Sequence, residues 1–219
     1  QGNTMTDQID HRATLLAQFE ALKSFPMFQR MATTVEASPW HREANVLVHT
    51  EMVVDQYIKM VDEDCEFYSE PWTHADYLGG IAAVFHDTGK PSAEIEKWSE
   101  ARGNYRAYHG HELLSARKFE SYAAHRFPMF SAEDIFKVCW MIEHHMPWTI
   151  EDDKKLDQMA ATVRQFGIST AYMRELLADQ YGRIADDQEG KNARAKEWVM
   201  KFNDRVNRVQ LPASVVKWS

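Results

Sequence analysis

Cysteine is nearly missing from this chain of 219 residues: Cys65 and Cys139 are all it has, too few for a disulfide framework or for a zinc site built on thiolates. No apolar run approaches the roughly 20 residues that would span a bilayer. The N-terminus lacks the charged-then-apolar pattern of a secretory leader. Residues 1–4 read as an addition ahead of a native start at Met5, and the expected location is the reducing cytoplasm. Alternating runs rich in β-branched residues, the mark of strands, are nearly absent. Positive charge is in deficit: 25 Lys and Arg against 33 Asp and Glu give a net charge of -8. That excludes a broad nucleic-acid-binding face and leaves room for a local basic pocket. No internal repeat, low-complexity tract or evident linker divides the chain.

What is present reads as helices broken by short polar turns. Helices are expected near 6–22, 43–61, 73–87, 110–125, 132–145, 152–166, 168–187 and 193–206, with 94–108 irregular around a Gly103-Asn104 turn. Ser131 with Asp134 three residues on resembles a capping box for the helix from Ala132. The expected fold is one all-α bundle, with residues 1–39 a helical extension of the same globule and 40–219 the main domain with its C-terminal helix.

The pair His86-Asp87 stands at the end of the apolar run from Ile81 to Phe85 and is followed by Thr88-Gly89-Lys90-Pro91. An ionised carboxylate in an apolar setting is costly unless it is paired. A divalent cation resolves the conflict, because imidazole nitrogen and carboxylate oxygen are its common ligands. Helical spacing supplies further candidates. His49 falls on the stripe of Val46, Val53 and Tyr57; His145 extends Ile135, Val138 and Ile142; Asp179 extends Tyr172 and Leu176. His144 follows the Trp140 and Met141 side instead. A lone inward histidine is usually a satisfied core residue, but several such residues in the order His, His-Asp, His, His, Asp point to a metal.

In that order the chain resembles the HD-domain superfamily of metal-dependent phosphohydrolases, across roughly residues 40–183. The resemblance is carried by His49-Thr50, by Phe85 through Pro91, by Gly110-His111-Glu112 with Ser115-Ala116, by Glu143-His144-His145-Met146 and by Ala178-Asp179. The segment 40–50, WHREANVLVHT, is also similar to the start of the HD module of bacterial tRNA nucleotidyltransferases. No nucleotidyltransferase head accompanies it. The resemblance implies an HD-domain-like helical bundle with His49, His86, Asp87 and Asp179 as core ligands and His111 and His145 around a second metal. His144 is an alternative to His145, and His109 a weaker alternative to His111.

The implied activity is a metal-dependent phosphohydrolase acting on a nucleotide or nucleic-acid end, as a phosphomonoesterase or 2′,3′-cyclic phosphodiesterase. One or two divalent ions (Mn, Ni, Co, Fe, Zn or Mg) would serve it. Asp87 offers an oxygen to each of two cations; with one metal, His111 or His145 is free for proton transfer. Lys90 and Arg183 are candidate phosphate contacts, the latter four residues after Asp179 on the same helical face. The expected partner is a phosphorylated small molecule or nucleic-acid end, not a membrane. Relatives also hydrolyse deoxynucleotide triphosphates, alarmones and cyclic dinucleotides, though this chain lacks a Gly-Tyr-Pro extension typical of cyclic-di-GMP enzymes. Two other classes compete: a di-iron oxygenase and a nucleotide-sensing HD domain without turnover. Glu43 and Glu51 are candidate partners for ligand N–H groups, Trp148 for the site mouth, and Lys97, Arg102, Asn104 and Arg106 for substrate specificity, while Lys154-Lys155 reads as a solvated face.

Overall fold

A computed structural model describes residues 9–36, 45–63, 67 and 70–211. The chain is mostly helical, in chain order α1 (His11–Leu22), α2 (Pro26–Ala32), α3 (Val46–Glu63), α4 (His74–Phe85) and α5 (Lys90–Ala93), then the strands β1 (Ile95–Ser99) and β2 (Gly103–Ala107). There follow α6 (His111–Arg126), α7 (Ala132–Glu143), α8 (Asp153–Gln165), α9 (Ser169–Tyr181) and α10 (Gln188–Arg208). Helix starts are written in the sequence. Asp10 accepts from Ala13 N, Pro26 opens α2, and Asp152 accepts from Lys154 N and Lys155 N. Full capping boxes, Thr73/Asp76 and Ser131/Asp134, open α4 and α7.

Helices α4 and α9 form the middle of the bundle. Every residue of α4 from Asp76 to Phe85 is buried, as is every residue of α9 from Ala171 to Gln180. They pack on each other and on α3, with α7 and α1 against α4 and α10 against α9. Two glycines set how closely the site's elements approach. A Cβ on Gly182 would lie 2.8 Å from Val53 of α3, and one on Gly89 would lie 2.6 Å from the His111 carbonyl of α6. A side chain at either position would push apart the segments that carry His49 and His111.

The stretch 94–108 departs from expectation. It forms α5's exit and an antiparallel hairpin, Ile95 paired with Ala107 through Ser99 with Gly103. Its alternation is hidden because Trp98 and Ile95 lie exposed, at 69% and 45%, where polar residues would normally stand. Helix α2 was not expected, and α9 stops at Tyr181 rather than 187, where Gly182 caps it. The predicted boundary at 39/40 falls outside the described residues, as do Thr6, Glu43 and Cys65. Cys139 is a buried free thiol, pushed up to about 12 by burial and nearby Glu120 and Glu143.

Candidate metal centre

Five elements end at one point. His49 comes from the first turn of α3, His86 and Asp87 from the turn that closes α4, His111 from the first position of α6, His145 from just past α7, and Asp179 from the last turns of α9. All six are buried, none more than 6% exposed. The turn after α4 is held by Gly89 N donating to Ser115 Oγ at 2.8 Å. That bond ties the His86-Asp87 turn to α6 and so fixes it relative to His111.

Each histidine of the cluster is clamped from behind. Nδ1–H donates to a backbone carbonyl in all four: His49 to Gly182 at 3.0 Å, His86 to Ala83 at 2.6 Å, His111 to Tyr108 at 2.9 Å and His145 to Ile142 at 2.6 Å. A carbonyl only accepts, so these bonds fix the tautomer and leave the Nε2 lone pairs turned inward. There they meet each other and the two carboxylates. Nε2 of His111 and His145 lie 3.1 Å apart, and His49 Nε2 lies 2.9 Å from Asp179 Oδ1. Around Asp87, ring nitrogens stand 3.1–3.6 Å from its oxygens: His111 and His145 beside Oδ1, His86 and His49 beside Oδ2. None is aligned as a donor, so both Asp87 oxygens and His86 Nε2 are buried without a hydrogen-bond partner.

The electrostatics follow from this crowding. Burial would lower the His86 imidazole, but Asp87 and Asp179 overturn that and hold it well above its usual value. Burial would raise Asp87; His86, Lys90, His111 and His145 hold its carboxyl well below the carboxylate range. Asp179 is likewise held well below by Arg183, His86 and His49 against its burial. His145 is lowered by burial and, despite Asp87, by the neighbouring imidazoles of His111 and His86.

These residues fit a divalent cation. Buried acceptors facing acceptors need a positive centre between them, and imidazole with carboxylate is a donor set for transition-metal ions and zinc. Three overlapping groups, His49–His86–Asp87, His86–His145–Asp179 and Asp87–His111–His145, each bring one ligand atom per residue within 4.8 Å of the others. Asp87 belongs to two of them.

The remaining predicted residues divide. Lys90 is not a free phosphate contact: its Nζ is buried, 2.6 Å from Glu36 and 3.1 Å from Asp87, so it steadies Asp87. Arg183 reaches the cluster through Asp179, with Nη2 3.0 Å from Oδ2 and Nε donating to its carbonyl, and it also borders the cavity. His144 stands outside the three groups of potential ligands. It caps α7, donates Nδ1–H to Trp140 O at 2.7 Å and stacks on that indole at 4.1 Å. His109 is met by Lys97 Nζ at 2.8 Å, outside the cluster. Glu51 pairs at 3.6 Å with Lys23 on the surface and serves no histidine. Trp148 is among the residues that border the cavity, and Lys154 and Lys155 are exposed as expected.

A cavity of about 850 Å³ opens over the centre. Of the six clustered residues His111 reaches its wall, with Lys90 and Arg183 beside it. Glu36, Tyr108, Gln180 and Trp198 border it too and were not foreseen. Glu36 arrives from 54 residues before Lys90, a contact no local pattern announces. Glu175, on α9, was missed as well: its oxygens are buried without partners, and burial with neighbouring Asp179 and Asp87 pushes its carboxyl well above the usual range despite His86. Among the described residues no helix is long and apolar enough to cross a membrane. No family model, curated protein or solved structure matches the chain, so any likeness rests on the residues themselves.

Proposed function

We propose that this chain is a metal-dependent phosphohydrolase of the HD-domain type, acting on a phosphate ester of a nucleotide or nucleic-acid end. One observation carries the reading: four imidazoles, each held by a backbone carbonyl at Nδ1, aim Nε2 at two buried carboxylates, and both oxygens of one of them, Asp87, have no hydrogen-bond partner among the described residues. His49, His86, Asp179 and Asp87 would hold one divalent ion, and His111 and His145 with Asp87 a second. A cation held there supplies water activation at neutral pH and charge stabilisation of phosphate oxygens.

The chain's own residues account for the rest. Lys90 and Glu36 keep Asp87 ionised and oriented. Arg183 spends Nε and Nη2 on Asp179, and its Nη1 donors remain for a phosphate oxygen entering from the cavity it borders. His111 and His145 bring their Nε2 atoms to 3.1 Å of each other, both facing Asp87 Oδ1. Where only one ion is held, His111, which borders the cavity, is the member placed to take a proton from the attacking water and give it to the leaving oxygen. No serine or cysteine nucleophile is required.

The test is a metal-supplemented screen of purified protein against phosphomonoesters, 2′,3′-cyclic nucleotides and nucleoside triphosphates. Metal-dependent release of phosphate or ring opening, abolished by chelator, is expected. Silence on every phosphate ester with every metal, from protein that binds the ion, would overturn the reading.

A further inference from the structure

The inner end of the cavity belongs to the centre described above; its outer end does not. The chain carries a net charge of -8, yet six cations and two carboxylates border this cavity. Three of the cations are committed near the centre or to the hairpin's own carboxylate: Lys90 to Glu36 and Asp87, Arg183 to Asp179, and Arg106 to Glu94. The outer ones are held differently. Arg102, in the hairpin turn, lies over the Tyr105 ring at 5.0 Å and has no carboxylate partner among the described residues. Arg194 meets Asp187 at 3.6 Å in a pair more than half exposed on both sides, which solvent screens and a ligand can displace.

The wall across from the hairpin is one helical face. Lys191, Arg194, Ala195 and Trp198 of α10 border the cavity at spacings of three, four and seven residues. Aromatic rings line the same cavity: Tyr105 of the hairpin, and Trp148 with Trp198, which lie 5.5 Å apart. The Trp148 Nε1–H is buried and has no acceptor among the described residues. The cavity of about 850 Å³ is bordered from Arg102 in the hairpin turn to Tyr108 just past β2. A single phosphate leaves most of this space unfilled.

We infer that Arg102 and Arg194 form a second anion subsite, which takes the far phosphate of a nucleoside flanked by two phosphates. The base lies against Trp148 and Trp198, and the near phosphate faces His111 and Arg183; this last placement rests on the phosphohydrolase reading. A mononucleoside monophosphate would leave the outer cations unused.

Calorimetric binding to the full chain, in chelator so that nothing is turned over, compares adenosine 5′-monophosphate with adenosine 3′,5′-bisphosphate. The bisphosphate is expected to bind at least about 10-fold tighter, as charge-assisted contacts to a second phosphate imply, and the preference to fall below about 2-fold in Arg102→Gln/Arg194→Gln. The charge-matched double variant Lys154→Gln/Lys201→Gln, exposed and away from the cavity, keeps the preference. Equal binding of both nucleotides, no binding of the bisphosphate, or a preference that survives the arginine substitutions in a variant of unchanged melting temperature overturns the inference. A phosphorylated dinucleotide, pApA, separates the sources: binding tighter than the bisphosphate assigns the outer phosphate to a chain end, and weaker binding to a free nucleotide. Preference without hydrolysis in the screen above removes the phosphohydrolase reading and leaves the subsite; hydrolysis without preference does the reverse.

Discussion

Helices α4 and α9 share two buried acid clusters, one at the start of α4 and one just past its end, and the two are built on opposite principles. At the start, Asp76 accepts from Arg174 at 2.7 Å through one oxygen and from Thr73 N and Oγ1 at 2.9 and 3.0 Å through the other. Every lone pair that needs a donor has one within the chain. At the far end, Asp87 is equally buried, but what surrounds its oxygens is mostly nitrogen lone pairs. Burial alone therefore does not distinguish structure from function; the sign of what faces the carboxylate does. A satisfied buried acid holds helices together, whereas one surrounded by acceptors is a place for a cation from outside.

Substitutions at the two clusters should separate these roles. The largest effect is expected from Asp87→Asn: loss of metal after desalting, read by elemental analysis, and a fall in phosphatase activity of at least about 100-fold, with the fold retained by circular dichroism. Asp76→Ala should do the opposite, costing about 3–5 kcal/mol in denaturant melts by breaking the buried Asp76–Arg174 pair and the capping box of α4, while protein that remains folded still binds metal. If Asp76→Ala lost metal as completely as Asp87→Asn, the division between the clusters would fail.

Glu175 sharpens the comparison, because it lies on the same helix and has neither kind of partner. Its carboxyl is raised by burial, so the folded state keeps a proton that the unfolded chain gives up. That contribution is full below the ordinary glutamate range and is lost as pH rises toward the folded value. Glu175→Gln should therefore match the parent in thermal melts near pH 4 and become progressively more stable than it toward pH 8, in chelator. A constant difference across that range would show that the proton is not held. The smallest effect is expected from His144→Asn, which removes a ring stacked on Trp140 and should cost about 1 kcal/mol or less while metal content stays unchanged. The same substitution at His145 should lower metal content.

Much of the centre was legible because its chemistry is local. His49 and the His86-Asp87 pair follow apolar residues at spacings that only one helical face satisfies. Asp179 is different: it extends Tyr172 and Leu176 at helical spacing, but α9 is buried all round from Ala171 to Gln180, so that spacing does not by itself set it apart from Glu175, and the ordered resemblance adds what periodicity lacks. His144 against His145 was hard for a related reason. Helix α7 ends at Glu143, and the turn after it no longer follows 3.6-residue spacing. The hairpin was illegible because no residue of either strand is fully buried, so neither face needs an apolar stripe. Lys90 looked like a free cation only because Glu36 is invisible until the chain folds.

The carbonyl clamps behind the four imidazoles have a kinetic consequence. Two of the carbonyls belong to last turns of helices, Ala83 in α4 and Ile142 in α7, and a third, Gly182, follows the end of α9. A ring anchored in this way cannot swing aside while its helix terminus stays wound. Escape of a captured ion should accordingly keep pace with fraying of these termini, so that amide exchange there and metal off-rate rise and fall together.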